Sequence, residues 1–194
     1  MRIIGGTLRG HTLRTPRSLK IRPTTDQLRQ SLFDVLGKNI MGSFFLDTYA
    51  GSGAVGIEAW SRGVEKIVLV ESSRAALQVI RANINDLKLV AKVRVISLNV
   101  SQSLKQLAKE KLRFDTIFLD PPYEKVEEYT WTLNALGRLE LLKPFGWVIA
   151  EHSKRLRLET RYGNLLQKKQ LRRGDSQLSF YILDNEPGKS DLPH

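Results

Sequence analysis

From residue 44 onward, short apolar runs alternate with longer stretches whose apolar residues recur at helical spacing. Apolar runs of that length, bounded by polar turns and separated by helices, predict an α/β fold around a mostly parallel sheet. Five strands are expected in succession: FFLDTY (44–49), KIVLVES (66–72), VRVISLN (93–99), DTIFLD (115–120) and WVIAEHS (147–153). The clearest helix is SRAALQVIRANINDLKL (73–89), where Ala76, Val79, Ile80, Ile84 and Leu87 line one face and basic and amide residues fill the rest. Two further strand-like runs, LLQKKQL (165–171) and LSFYILD (178–184), flank the turn-rich RRGDSQ and read as a hairpin.

Ahead of this alternation, residues 2–15 (RIIGGTLRGHTLRT) read as a small β-hairpin and residues 24–40 as a helix. Leu28, Leu32, Val35 and Leu36 supply that helix's apolar stripe, and Thr24 or Thr25 its N-cap. The expected organisation is an N-terminal basic hairpin-and-helix extension over 1–40, a main domain over 41–186, and a flexible polar tail over 187–194. Seven strands, five parallel and then an antiparallel C-terminal hairpin, suit the methyltransferase variant of the Rossmann-like sheet; the dehydrogenase variant would ordinarily be parallel throughout.

Composition narrows the class. With 194 residues, 41% hydrophobic and 26% charged, the chain has the make-up of one folded domain. No apolar run approaches the roughly 20 residues of a membrane span, and MRIIGGTLRG lacks the apolar core of a secretory signal, so a soluble cytoplasmic protein is expected. The absence of cysteine excludes disulfides, thiolate metal sites and cysteine nucleophiles. His11, His152 and His194 have no ligand spacing, and no metal is expected. The net charge of +11 favours encounter with a polyanion such as nucleic acid. Residues 1–30 hold seven basic side chains against Asp26, and residues 152–175 hold eight against Glu159 and Asp175, so a nearly neutral middle is flanked by two basic ends.

That middle carries the candidate chemistry. DTYAGSGAVG, starting at Asp47, places Tyr49, Ala50, Gly51, Ser52 and Gly53 in a loop between a strand and a helix, the context in which G-x-G-x-x-G cradles a nucleotide. Gly51 and Gly53 permit a sharp turn close to a ligand, and Gly56 permits close helix–sheet packing. Glu71, followed by Ser72, ends the second strand 20 residues after Gly51, where a carboxylate can accept from ribose hydroxyls. NAD and S-adenosylmethionine (SAM) both carry that ribose, and a purely structural glycine turn would read the same. Asp47 leans the loop towards SAM, because a carboxylate there suits a cationic amino-acid end and repels a pyrophosphate.

The fourth strand runs into DPPY: Asp120, Pro121, Pro122 and Tyr123. Exocyclic amines on bases are poor nucleophiles because the lone pair is delocalised into the ring. The Asp120 carboxylate and the Pro121 carbonyl can accept the amine's hydrogens, the prolines preset the backbone, and Tyr123 offers a stacking face for an extruded base. A rigid turn closing a strand is the alternative. Methyl transfer from a sulfonium donor to such an amine needs neither a metal nor a covalent intermediate.

With these motifs in place the chain resembles the RsmD family of bacterial methyltransferases, across RIIGGTLRG, RPTTDQLRQSLFDVLG, DTYAGSGAVGIEAWSRG, FLDPPY and GDSQLSFY in family order. The resemblance implies a class I SAM-dependent fold, SAM as cofactor, and transfer to the N2 of a guanine in 16S rRNA, guanine 966 in bacterial numbering. The partner implied is 16S rRNA in the 30S subunit or an assembly intermediate, met by a monomer. It further implies that Thr25 bonds the SAM carboxylate and that Asn99, with Val100 after it, stands where relatives place an aspartate against the adenine amine. Arg2, Arg9, Arg14, Arg17 and Arg22 become candidate RNA contacts. Competing readings are a DNA adenine-N6 or cytosine-N4 methyltransferase and a non-catalytic RNA-binding assembly factor.

Overall fold

The computed structural model describes residues 1–15, 26–122 and 125–184. Helix α1 (Asp26–Leu36) and a 3-10 turn (Gly37–Ile40) precede an alternation of β1 (Phe44–Asp47), α2 (Ala54–Ser61), β2 (Lys66–Val70), α3 (Arg74–Asp86), β3 (Val93–Ile96), α4 (Val100–Lys109), β4 (Phe114–Leu119), α5 (Val126–Arg138) and β5 (Leu142–Ser153). β6 (Arg161–Tyr162), β7 (Leu165–Arg173) and β8 (Ser176–Leu183) complete the chain. All eight strands form one sheet in the order β3-β2-β1-β4-β5-β8-β7-β6. β1 to β5 pair in parallel, and β8 and β7 follow antiparallel. The mostly parallel α/β sheet with its C-terminal antiparallel hairpin is therefore as the pattern predicts.

Differences lie at the edges. The sheet has eight strands where seven are expected, because the two-residue β6 pairs with the start of β7 and is too short for a periodicity to register. β5 begins five residues early, through a register shift and Phe145 at φ 64. The hairpin is tighter than RRGDSQ suggests: Arg173 pairs with Ser176, leaving Gly174 and Asp175 as a two-residue turn. Gly174 has φ 59, the left-handed geometry such turns demand at their first central position. The N-terminal hairpin reduces to a single antiparallel bridge, Arg2 to Thr12. The proposed cap residues Thr24 and Thr25 and the tail 187–194 lie outside the described residues.

Strand alternation divides the interior into two layers. Phe45, Leu69, Phe118, Ile149, Leu178 and Phe180 pack on one face with α1, α2, α3 and the N-terminal residues Ile3 and Leu13. Leu46, Val68, Ile117, Leu119, Val148 and Tyr181 pack on the other with α4 and α5. The extension thus shares a core with the sheet. Its attachment is also ionic: the fully buried Arg29 of α1 donates from Nε to Glu58 of α2 at 2.7 Å and from Nη2 to the Arg2 carbonyl at 2.6 Å. Glu58, itself buried, also accepts from Arg62 at 2.8 Å. With the Ile4 N–H donating to Glu58 at 3.4 Å, the N-terminal residues, α1 and α2 converge on one carboxylate.

Candidate active site

Ligands in open parallel sheets bind beyond the carboxyl ends of the strands, where the strand order reverses. Here that reversal falls between β1 and β4, which end in Asp47 and lead into Asp120. By alternation Asp47 follows Phe45, Asp120 follows Phe118 and Glu151 follows Ile149, so three carboxylates on adjacent strands emerge on the same sheet face. Asp47 and Glu151 are buried, while Asp120 is half-buried. Burial pushes the Asp47 pKa up to about 7, against the opposing pull of the Tyr49 and Gly56 backbone amides, and Glu71 and Glu151 push it further. Asp120 is raised well above the usual carboxylate range by burial first, then by Glu151 and Asp47. Like charges this close resist simultaneous ionisation, so the cluster is poised to receive a cation or hold a proton.

The glycine loop is built as expected. Gly51 (φ 56) and Gly53 (φ 79) both occupy the left-handed region, Gly53 caps α2, and Ser52 is buried between them. A Cβ on Gly56 would lie 2.4 Å from Leu69 Cδ2, so only glycine lets α2 pack this closely on β2. Ala50 is fastened by its N–H to the Val70 carbonyl at 3.0 Å. Glu71 is already engaged: Oε2 accepts from Gly51 N–H at 2.9 Å, and Oε1 accepts from the N–H groups of Ser72 and Ser73 at 2.8 Å each. A carboxylate has about four acceptor sites, so Glu71 can take one ribose hydroxyl as it stands, and two only by releasing a backbone amide.

Two cofactor candidates sit differently from expectation. The Tyr49 hydroxyl donates to Glu128 at 3.0 Å and pairs with Thr132 at 2.8 Å, so its side chain secures α5 and only its backbone serves the loop. The Asn99 side-chain oxygen accepts from Gln102 N–H at 2.8 Å, capping α4, with Val100 buried as the helix's first residue. The cap occupies one lone pair of that oxygen and leaves the other able to accept from an adenine amine. In the DPPY stretch, the Pro121 carbonyl accepts from the buried Tyr129 hydroxyl at 3.3 Å, keeping a lone pair for a substrate, and the Pro122 carbonyl accepts from Lys125 N–H at 2.8 Å. Tyr129 packs edge-on against His152, whose Nδ1 donates to the Ser153 carbonyl and whose Nε2 accepts from Ser179. Burial lowers the His152 pKa and favours the neutral ring, both of whose nitrogens are engaged within the protein.

Thr25, Arg17, Arg22 and Tyr123 lie outside the described residues. Arg2 and Arg9 are exposed. Arg14 is exposed as well but paired, its guanidinium meeting Asp86 at 2.9 Å. Sequence reasoning passed over Glu151, Tyr129 and Asn83. Asn83 is buried in α3 and donates to the carbonyls of Ser52 and Arg14, tying the glycine loop to the N-terminal arm. Glu151 was legible in principle, since it is the carboxylate near the end of the fifth strand, as Asp47 is at the end of the first.

The residues fit a SAM-type cofactor on one observation above all: Asp47 Oδ1 is buried without a hydrogen-bond partner among the described residues, an acceptor awaiting a donor. Among the described residues no His, Asp and Glu cluster could hold a metal ion, and no helix is long and apolar enough to cross a membrane. A family model described as "Conserved hypothetical protein 95" matches residues 1–182. Ribosomal RNA small subunit methyltransferase D of Escherichia coli strain K12 is 38% identical over 153 residues, which span 78% of this chain and 71% of that one. The solved structure of the hypothetical protein TTHA0928 from Thermus thermophilus superposes with a TM-score of 0.80 at 32% identity, covering 93% of this chain and 98% of the other. At the level of fold alone, SMU.776 complexed with SAH matches with a TM-score of 0.64 at 16% identity, over 91% of this chain and 52% of that one. With its glycine loop, carboxylate rim and DPP turn on a class I methyltransferase sheet, the chain belongs to the RsmD family.

Proposed function

We propose that this protein methylates the exocyclic N2 of a guanine in 16S rRNA, with SAM as donor. The observation that carries this reading is the placing of Asp120 and the Pro121 carbonyl, both acceptors, beside a glycine loop preceded by Asp47, whose buried Oδ1 has no hydrogen-bond partner among the described residues. When bound, SAM supplies an activated methyl group on a sulfonium. Asp47 holds the cationic amino-acid end, Glu71 the ribose and Asn99 the adenine edge. Asp120 and Pro121 accept the two N–H groups of the guanine amine and fix its lone pair towards the methyl donor. Its raised pKa equips Asp120 to take the proton that the amine sheds on methylation.

The E. coli relative is named for small-subunit rRNA, which favours RNA over DNA as the substrate here. The test is incubation with labelled SAM and either 30S subunits, naked 16S rRNA or duplex DNA, followed by digestion and nucleoside identification. N2-methylguanosine from RNA is the expected product. Label in DNA adenine or cytosine would overturn the reading.

A further inference from the structure

The sequence holds two basic segments, and the proposed RNA contacts come from the first alone. Topology determines where the second lies. β5 runs parallel to β4 and therefore ends, at Ser153, on the rim that carries Asp120. β8 runs antiparallel and starts on that rim, with Ser176 beside Ser153, and β7 ends there, with Arg173 beside Ser176. The tip of the β7–β8 hairpin and the segment after β5 thus flank the target cleft. Three strand spacings separate β4 from β7, placing Arg173 about 14 Å to the side of Asp120.

The charges at this tip are available. Arg155, Arg172 and Arg173 are exposed and form no ion pair among the described residues; Lys154 pairs with Asp175. Arg173 is held in place without being neutralised, since Nε donates to Ser31 of α1 at 3.0 Å and Nη1 to the Arg172 carbonyl at 3.0 Å. That contact brings the hairpin against α1, with Arg9 of the N-terminal segment close by. Between them lies an open groove of about 490 Å³, lined by Arg9 and Arg173 with Gln27, Gln30 and Ser31. The acid in the groove, Asp26, is already paired with Arg29 at 2.9 Å. Two basic segments separated by more than a hundred residues therefore line one groove, whose Arg173 side reaches the rim of the target cleft.

We infer that the hairpin tip, through Arg155, Arg172 and Arg173 and with Arg9 opposite, is a second phosphate-binding surface that holds the rRNA backbone beside the cleft while a base reaches Asp120. This rests on the rRNA reading above and adds where the strand is gripped. Backbone contacts of this kind position without reading sequence, and their signature is salt dependence. In an Arg155→Gln/Arg172→Gln double variant, the KM for RNA should rise at least fivefold with kcat and SAM affinity unchanged. The slope of log affinity for rRNA against log salt should shrink by roughly 1.4 to 1.8. Unchanged slope and KM would overturn the inference while leaving the activity reading intact. A defect seen with assembled subunits but absent with naked 16S rRNA would overturn it in favour of a ribosomal protein contact. If the unaltered enzyme methylates no RNA, the reading beneath it fails first, and the inference with it.

Discussion

Asp47 and Asp120 belong to the same carboxylate rim, yet substitution should separate them by role. Asp120→Ala should lower methyl transfer by about a hundredfold or more while SAM still binds, as removal of a positioned polar group does. Asp47→Asn should instead weaken SAM binding, read by calorimetry. Its effect on stability runs the other way. The folded-state pKa of about 7 lies above the ordinary 3.8, so the folded protein keeps a proton that the unfolded chain has already lost. Stability contributed by that proton is complete below about pH 4 and is lost as pH rises to 7. Asp47→Asn removes the cost of ionisation, so it should raise the melting temperature at pH 8, by up to about 4 kcal/mol in stability, and confer nothing at pH 4. The same titration should weaken SAM binding to the unaltered protein about tenfold per unit below pH 7. A SAM affinity that stays flat from pH 7.5 to 5.5 would show that Asp47 does not meet the cation.

At the scale of elements, the parallel strands, the helix over Arg74–Asp86 and both functional turns were legible because each is local: a short apolar run, a helical stripe, a glycine or proline pattern. β6 and the early start of β5 were not, since they depend on partners supplied by β7 and β4. The side-chain contacts of Tyr49 and Asn99 were likewise hidden. Nothing in a sequence says that a tyrosine in a glycine loop will find Glu128, nor that a strand-ending amide will cap the next helix. The buried Arg29–Glu58 pair is the most consequential long-range feature. A glutamate within AVGIEAWS is out of place on an otherwise apolar helix, but only its contacts identify it as an anchor for the N-terminal arm. Glu58→Gln should destabilise the fold by about 3 kcal/mol in urea titration, because it removes the buried counter-charge of the Arg29 guanidinium and leaves it only the exposed Asp26. Replacing both residues, Arg29→Met with Glu58→Leu, should recover most of that loss. If the double variant is as unstable as the single, the pair's value lies in its hydrogen bonds to the arm.

For the whole molecule, function depends on which charges remain open to a polyanion. The net charge of +11 overstates the available field, because cations are neutralised on the far side of the sheet, as with Arg94 by Glu110 and Lys143 by Asp115. At the hairpin tip and just after β5, Arg155, Arg172 and Arg173 have no ion pair among the described residues, while in the N-terminal segment Arg14 is held by Asp86. Exposed pairs of this kind contribute little to stability, well under about 1 kcal/mol, so the Arg14–Asp86 contact can open when a phosphate competes for the guanidinium. The pair is therefore a direct probe of the N-terminal arm. Asp86→Asn frees Arg14 and removes the negative charge beside it, without disturbing the buried Asn83 that fixes the arm's backbone. The rRNA affinity of Asp86→Asn should rise, and the salt slope should steepen by about 0.7–0.9, one phosphate contact's worth. An affinity gain with no change in slope would mean that Asp86 repels RNA at a distance and that Arg14 makes no contact. No change in either quantity would return Arg14 to a purely structural part in pinning the arm to α3.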